Sequence, residues 1–89
     1  MSPKAIATRL RLLADALDET HAEMALMSGI TTRSGWSNYI MANRIPRITH
    51  AITLCERTGV TLDWIYRGLY ASAVVPDLRR KLLIAQTIK

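Results

Sequence analysis

Apolar residues recur along this chain at the three- and four-residue intervals of an α-helix. In the first segment they follow steps of four, three and four, at Ile6, Leu10, Leu13 and Leu17. That spacing places them on one face of a helix. Ser2 followed by Pro3 is a typical helix start, because Ser caps free amides and Pro suits the first helical position. No segment alternates with the period of two typical of a half-buried strand, so strands are not predicted.

A second, short helix is predicted directly after the first. Thr20 is followed three residues later by Glu23, which is the spacing of a capping box. Gly29 is the expected end of this helix, because glycine readily adopts the left-handed conformation found after helix termini. We therefore expect a short helix between Thr20 and Gly29.

A third helix is predicted after a turn of about three to four residues. Thr31 or Thr32 can cap it, and we expect it to run to about Asn43. Pro46 stops it, because a proline disfavours a helical conformation in the residue before it.

Two more helices follow. A fourth is predicted over residues 48–58, ending at Gly59, and a fifth opens at Thr61 and closes at Gly68. The residues of the fourth helix expected to face inward are Ile48, Ile52 and Cys55. Pro76 then opens a basic amphipathic helix near the end of the chain.

The composition fits one small folded domain. The 89 residues are 49% hydrophobic and 21% charged, which is too apolar for a disordered chain. The formal net charge of +5 favours a polyanionic partner. Its distribution says more, because no acidic residue lies between Glu23 and Glu56, and that window contains Arg33, Arg44 and Arg47. The middle of the chain is therefore a local cationic zone.

Several classes of function are disfavoured by what the chain contains. Cys55 is a single cysteine, so no intramolecular disulfide is possible, and we expect a buried thiol. We predict no metal and no cofactor, because His21 and His50 have no partners at ligand spacing and no phosphate-binding glycine loop is present. No catalytic grouping is visible, so an enzyme is not expected. With no export signal or membrane-spanning run, we expect a cytoplasmic protein that does not enter a membrane.

The second and third helices have the layout of a helix-turn-helix, whose second helix lies in the DNA major groove. Winding the third helix at about 100 degrees per residue separates two faces. The inner face carries Trp36, Tyr39 and Ile40. The outer face carries Arg33, Ser34, Ser37, Asn38 and Met41. Such a polar face suits DNA, because Arg pairs with guanine, Asn pairs with adenine, and small hydroxyl residues allow close approach to phosphates.

The motifs H-A-E-M-A, W-S-N-Y, N-R-I-P and G-V-T-L-D-W-I-Y-R-G resemble the lambda-repressor-like (Xre/Cro) helix-turn-helix family over residues 6–68. This resemblance implies a five-helix DNA-binding regulator. It implies base reading by Arg33, Ser34 and Asn38. It implies phosphate contacts by His21, Thr32, Asn43 and Arg44. To these we add Ser37, on the same polar face, and Arg47, beside the loop.

The chain departs from the family pattern in three ways. Gly29 and Trp36 are seven residues apart where the family usually has six, so the turn is one residue longer. Gly35 inside the third helix costs about 1 kcal/mol of helical preference. Ala14 and Ile40 stand where many members bury an Arg and a Glu. Losing both charges together is inexpensive, because an apolar pair can replace a buried ion pair.

We therefore predict a DNA-binding domain over residues 1–68 and an extension over residues 69–89 that forms a dimer or binds a protein partner. The predicted function is sequence-specific binding of double-stranded DNA by a homodimer that represses transcription at an operator. The alternative is a protein-binding antiactivator or antitoxin that no longer binds DNA, which the longer turn, Gly35, Met41 on the outer face and the apolar tail favour.

Overall fold

The computed structural model describes residues 2–32 and 34–69, and in these ranges the chain forms five α-helices and no strand. In chain order they are α1 Pro3–Leu17, α2 His21–Met27, α3 Gly35–Ile40, α4 Ile48–Thr58 and α5 Leu62–Arg67. The predicted all-α fold is confirmed. None of the helices in the described ranges has the length and apolar content that crossing a membrane requires. Arg33 and the extension after Leu69 lie outside the described residues.

The predicted helix caps form as expected at three starts. The hydroxyls of Ser2, Thr20 and Thr61 each accept a hydrogen bond from the amide three residues later, at 3.2, 3.1 and 3.1 Å. Each bond satisfies an amide that has no partner inside its helix. Gly59 and Gly68 end α4 and α5 in the left-handed conformation, with φ of 86° and 76°. These boundaries were predictable because the signals are local in sequence.

The hydrophobic core lies around α1, which packs against α3 and α5, while α2 contacts α3 and α4. The predicted stripe on α1 is confirmed, since Ile6, Leu10 and Leu13 are buried and Leu17 is partly buried against them. The other fully buried large side chains are Met24, Trp64 and Ile65.

The inward face predicted for α4 is wrong. Ile48 and Ile52 are 53% and 41% exposed, and Cys55 is only half-buried, whereas Ala51 and Leu54 are buried. Two apolar stripes with helical spacing lie side by side on this helix, so periodicity alone did not decide between them. The stripe with the small alanine faces the core.

Helix α3 begins later than predicted. Its N-terminal flanking residue is Ser34, whose side chain makes no capping bond, and not Thr31 or Thr32. Residues 28–34 therefore link α2 and α3, which is longer than the predicted turn. A Cβ added to Gly35 would overlap Ile30 Cγ2 and lie 2.8 Å from Thr32 Oγ1. The linking segment is folded tightly against the first residue of α3, and this close approach requires glycine.

Helix α3 also ends before the predicted Asn43. Ala42 adopts a left-handed conformation, with φ of 61°. This reverses the chain, so that the amides of Asn43 and Arg44 donate to the Asn38 carbonyl at 2.9 and 3.2 Å. A glycine usually marks such an end. Alanine stands at this position, so the end of α3 has no local signal in the sequence.

Candidate functional site

The two aromatic residues of α3 lie beneath a polar face. Trp36 and Tyr39 are 4% and 5% exposed, so their predicted core placement is confirmed. Ser34 and Ser37 are exposed, and Asn38 is half-buried. Helix α3 therefore presents small polar side chains to solvent while its aromatic side chains fix it to the domain.

A surface groove lies between α3 and the loop that precedes α4. Five of the predicted contact residues line it: Thr32, Ser34, Asn38, Arg44 and Arg47. They come from the linking segment, from α3 and from the following loop, so the fold brings together residues that are separated in sequence. Ser37 lies on the exposed face of α3 and is not among the groove residues.

The groove is electrostatically one-sided. Its lining residues come from the stretch between Glu23 and Glu56, which contains no acid. Arg44 and Arg47 are exposed. Within residues 2–32 and 34–69, the ion pair that forms joins Arg67 to Asp63 on α5 at 3.6 Å and does not involve the groove. The guanidinium groups are thus free of carboxylate partners in that part of the chain and suit an anionic ligand.

Two tyrosines hold the loop that carries these arginines. The Tyr66 hydroxyl donates to the Pro46 carbonyl at 2.8 Å, and the Arg47 amide donates to the Tyr39 hydroxyl at 3.3 Å. Burial raises the pKa of Tyr66 above its ordinary value, which keeps the phenol protonated as a donor. The loop is therefore tied to α3 and α5 on one side of the groove.

Asn43 lies beside Asn38 and not in the groove itself. Its side-chain amide Nδ2 donates to Asn38 Oδ1 at 3.4 Å. This contact orients the Asn38 carboxamide. Asn43 therefore supports a predicted base-reading residue, an arrangement that sequence spacing did not reveal.

His21 is bonded to a core aromatic residue. The Trp36 indole Nε1–H donates to His21 Nδ1 at 3.0 Å, and His21 itself is an exposed residue. A second histidine, His50, lines the groove, with its Nδ1 atom 2.7 Å from the Tyr39 hydroxyl. No role was predicted for His50. Its partner lies eleven residues away on another helix, so no local spacing signals the contact.

Two apolar residues, one on α1 and one on α3, belong to the packed interior. Ala14 is buried, and Ile40 is packed against the same core. Arg11 instead donates from Nε to the Ile40 carbonyl at 2.9 Å. An arginine of α1 therefore still contacts the end of α3, through the backbone and not through a carboxylate.

Among the described residues, no group of three or more His, Cys, Asp or Glu side chains could hold a metal ion. Comparisons with protein-family models, with curated proteins and with solved structures found no match for this chain. The resemblance to the lambda-repressor-like family accordingly stays a prediction that rests on motifs.

Proposed function

We propose that this protein binds double-stranded DNA in a sequence-dependent way, with α2 and α3 acting as a helix-turn-helix and α3 entering the major groove. The observation that carries the proposal is the groove beside α3, where five predicted contact residues meet without a carboxylate. Cations and small polar donors at one edge match the phosphate backbone, and the exposed face of α3 matches base edges.

In this proposal the contacts divide into two classes. Ser34 and Asn38 read bases, together with the predicted Arg33, which lies outside the described residues. The phosphate contacts are His21, Thr32, Ser37, Asn43, Arg44 and Arg47. Asn38 is the sharpest base reader, because a carboxamide both donates to and accepts from adenine.

In this proposal, the protein regulates transcription by occupying an operator. We propose a repressor that blocks an operator as a homodimer, because one such domain reads a single half-site. The extension over residues 69–89 remains the predicted dimerisation segment. Localisation in the cytoplasm, beside the DNA, and the absence of catalysis are parts of the same proposal.

Binding to duplexes with about 20 randomised base pairs, or two helical turns, tests this function directly. We expect selection of a preferred sequence and affinity that falls steeply between about 50 and 200 mM salt. Asn38→Ala should cost about 1–3 kcal/mol on the selected duplex and relax one base preference. Unchanged affinity and base preference would show that the reading face is wrongly assigned.

A matched set of charge variants separates the groove from the rest of the surface. The plot of log K against log salt has a negative slope, and Arg44→Gln and Arg47→Gln should each reduce its magnitude by about 0.9. Arg57→Gln removes the same charge from the exposed end of α4 and should leave the slope unchanged. Equal effects of all three would indicate general charge attraction without a defined site.

The protein-binding alternative is favoured by one observation. Ile45 lines the groove, and Met41, Ile45, Ile48 and Ile52 are all exposed, with Met41 at 64%, so apolar side chains reach solvent on α4 and in the segment before it. An apolar partner surface should respond little to salt. If the folded wild type binds none of the duplexes at about 50 mM salt, DNA binding is refuted and this alternative replaces it.

A further inference from the structure

Each buried aromatic residue of α3 ends in a polar atom that meets a histidine on a neighbouring helix. Trp36 reaches His21 on α2, at 3.0 Å, and Tyr39 reaches His50 on α4, at 2.7 Å. In both cases the histidine atom is Nδ1. The aromatic rings lie in the core, so their polar atoms are held in fixed positions.

The tautomer of His21 follows from the chemistry of its partner. An indole Nε1–H can only donate, so His21 Nδ1 must be the unprotonated acceptor. In the neutral ring the single proton therefore lies on Nε2. That nitrogen is directed away from Trp36 and is a donor.

The tautomer of His50 follows from a short chain of hydrogen bonds. The Tyr39 hydroxyl accepts from the Arg47 amide at 3.3 Å. The 2.7 Å contact with His50 Nδ1 fits donation by the phenol, because its oxygen already accepts from the amide. With that direction the His50 proton lies on Nε2, and the ring lines the groove with Arg47 and Tyr39.

We propose that Trp36 and Tyr39 are positioning residues that fix both histidines as neutral Nε2–H donors, and that His50 is a further contact to a DNA backbone phosphate. The phosphate part rests on the proposed function. His50 lies on α4 beside the arginine loop and not on α3, so its ligand is the backbone and not a base edge. A neutral donor adds a directed hydrogen bond without displacing a counterion.

Nitrogen-detected NMR of the histidine rings tests the positioning in the free protein, at a pH where both rings are neutral. We expect both rings as the Nε2–H tautomer. Trp36→Phe should release His21 alone into a tautomer mixture, and Tyr39→Phe should release His50 alone. If Trp36→Phe does not fold, the wild-type spectrum decides for His21, because an Nδ1–H ring cannot accept from the indole N–H. An Nδ1–H tautomer in the wild type, or no change in the variants, overturns the positioning role.

DNA binding tests the His50 contact, with the sequence selected from the randomised duplexes as probe. His50→Ala should weaken binding about three- to tenfold and leave the salt slope unchanged. His50→Gln places an amide nitrogen near the Nε2 position and should recover part of the loss. Arg44→Gln, by contrast, should reduce the magnitude of the salt slope by about 0.9.

The outcomes separate this inference from the proposed function. Unchanged binding by His50→Ala, or a slope change like that of Arg44→Gln, overturns the neutral contact while DNA binding itself stands. Failure of the wild type to bind any duplex overturns the phosphate contact together with the proposed function. The NMR result is measured without DNA and judges the tautomers in either case.

Discussion

Gly35→Ala is the most direct test of how the segment between α2 and α3 is built. Helix preference alone favours alanine over glycine by about 0.8–1.0 kcal/mol inside a helix. The structure favours the opposite outcome. The added Cβ would overlap Ile30 Cγ2 and lie 2.8 Å from Thr32 Oγ1. Ile30 is buried and β-branched, so its methyl group has little freedom to move away.

Overpacking a buried site costs about 1–3 kcal/mol. The helical gain is small at the first residue of α3, so we expect Gly35→Ala to lose about 1–2 kcal/mol of unfolding free energy. A loss of 1 kcal/mol lowers the melting temperature by about 4–8 °C in a domain of this size. Urea and thermal unfolding measure both quantities.

Two further variants make the result interpretable. Ser37→Ala, on the exposed face of the same helix, should be neutral or slightly stabilising. In an Ile30→Ala background the clash is relieved, so Gly35→Ala should cost less there, with a coupling of about 0.5–3 kcal/mol. A stabilised Gly35→Ala protein with no coupling to Ile30 would refute the close approach.

Two other predictions concern stability. Ala42→Gly should raise the unfolding free energy by up to about 1 kcal/mol, because it relieves a left-handed alanine; a lower urea midpoint would contradict this. Burial raises the pKa of Cys55 above 9.0 and that of Tyr66 above 10.0, so the folded state holds these protons longer than the unfolded state. Their contribution to the unfolding free energy is therefore fully present below about pH 9 and is lost as the pH rises through the raised pKa values. In urea titrations, the double variant Cys55→Ala, Tyr66→Phe should show a smaller decrease of unfolding free energy with pH.

Much of the fold was predictable because its signals are local. The caps at Ser2, Thr20 and Thr61 need only the next three residues, and Gly59 and Gly68 mark helix ends by themselves. The face of α4 was not predictable in this way. Two apolar stripes with helical spacing compete there, and only packing against α2 and α5 selects between them.

The candidate site likewise has features that local sequence predicts and features that depend on contacts between separate elements. The helical period of about 100 degrees per residue was enough to predict that Trp36 and Tyr39 are buried and that Ser34 and Ser37 are exposed. The groove was not derivable from spacing, because its arginine loop is held by Tyr66, which bonds Pro46 from twenty residues away. The histidine contacts with the aromatics likewise join separate helices.

The long link between α2 and α3 and the glycine at position 35 form one feature of the structure. The link places the side chains of Ile30 and Thr32 closely against the start of α3. That position must then lack a side chain. The glycine that weakens α3 as a helix therefore makes room for the Thr32 side chain, which lines the groove beside Ser34. Gly35→Ala should accordingly disturb the groove as well as the stability, and a variant that lost stability while keeping wild-type DNA affinity would separate the two effects and contradict this link.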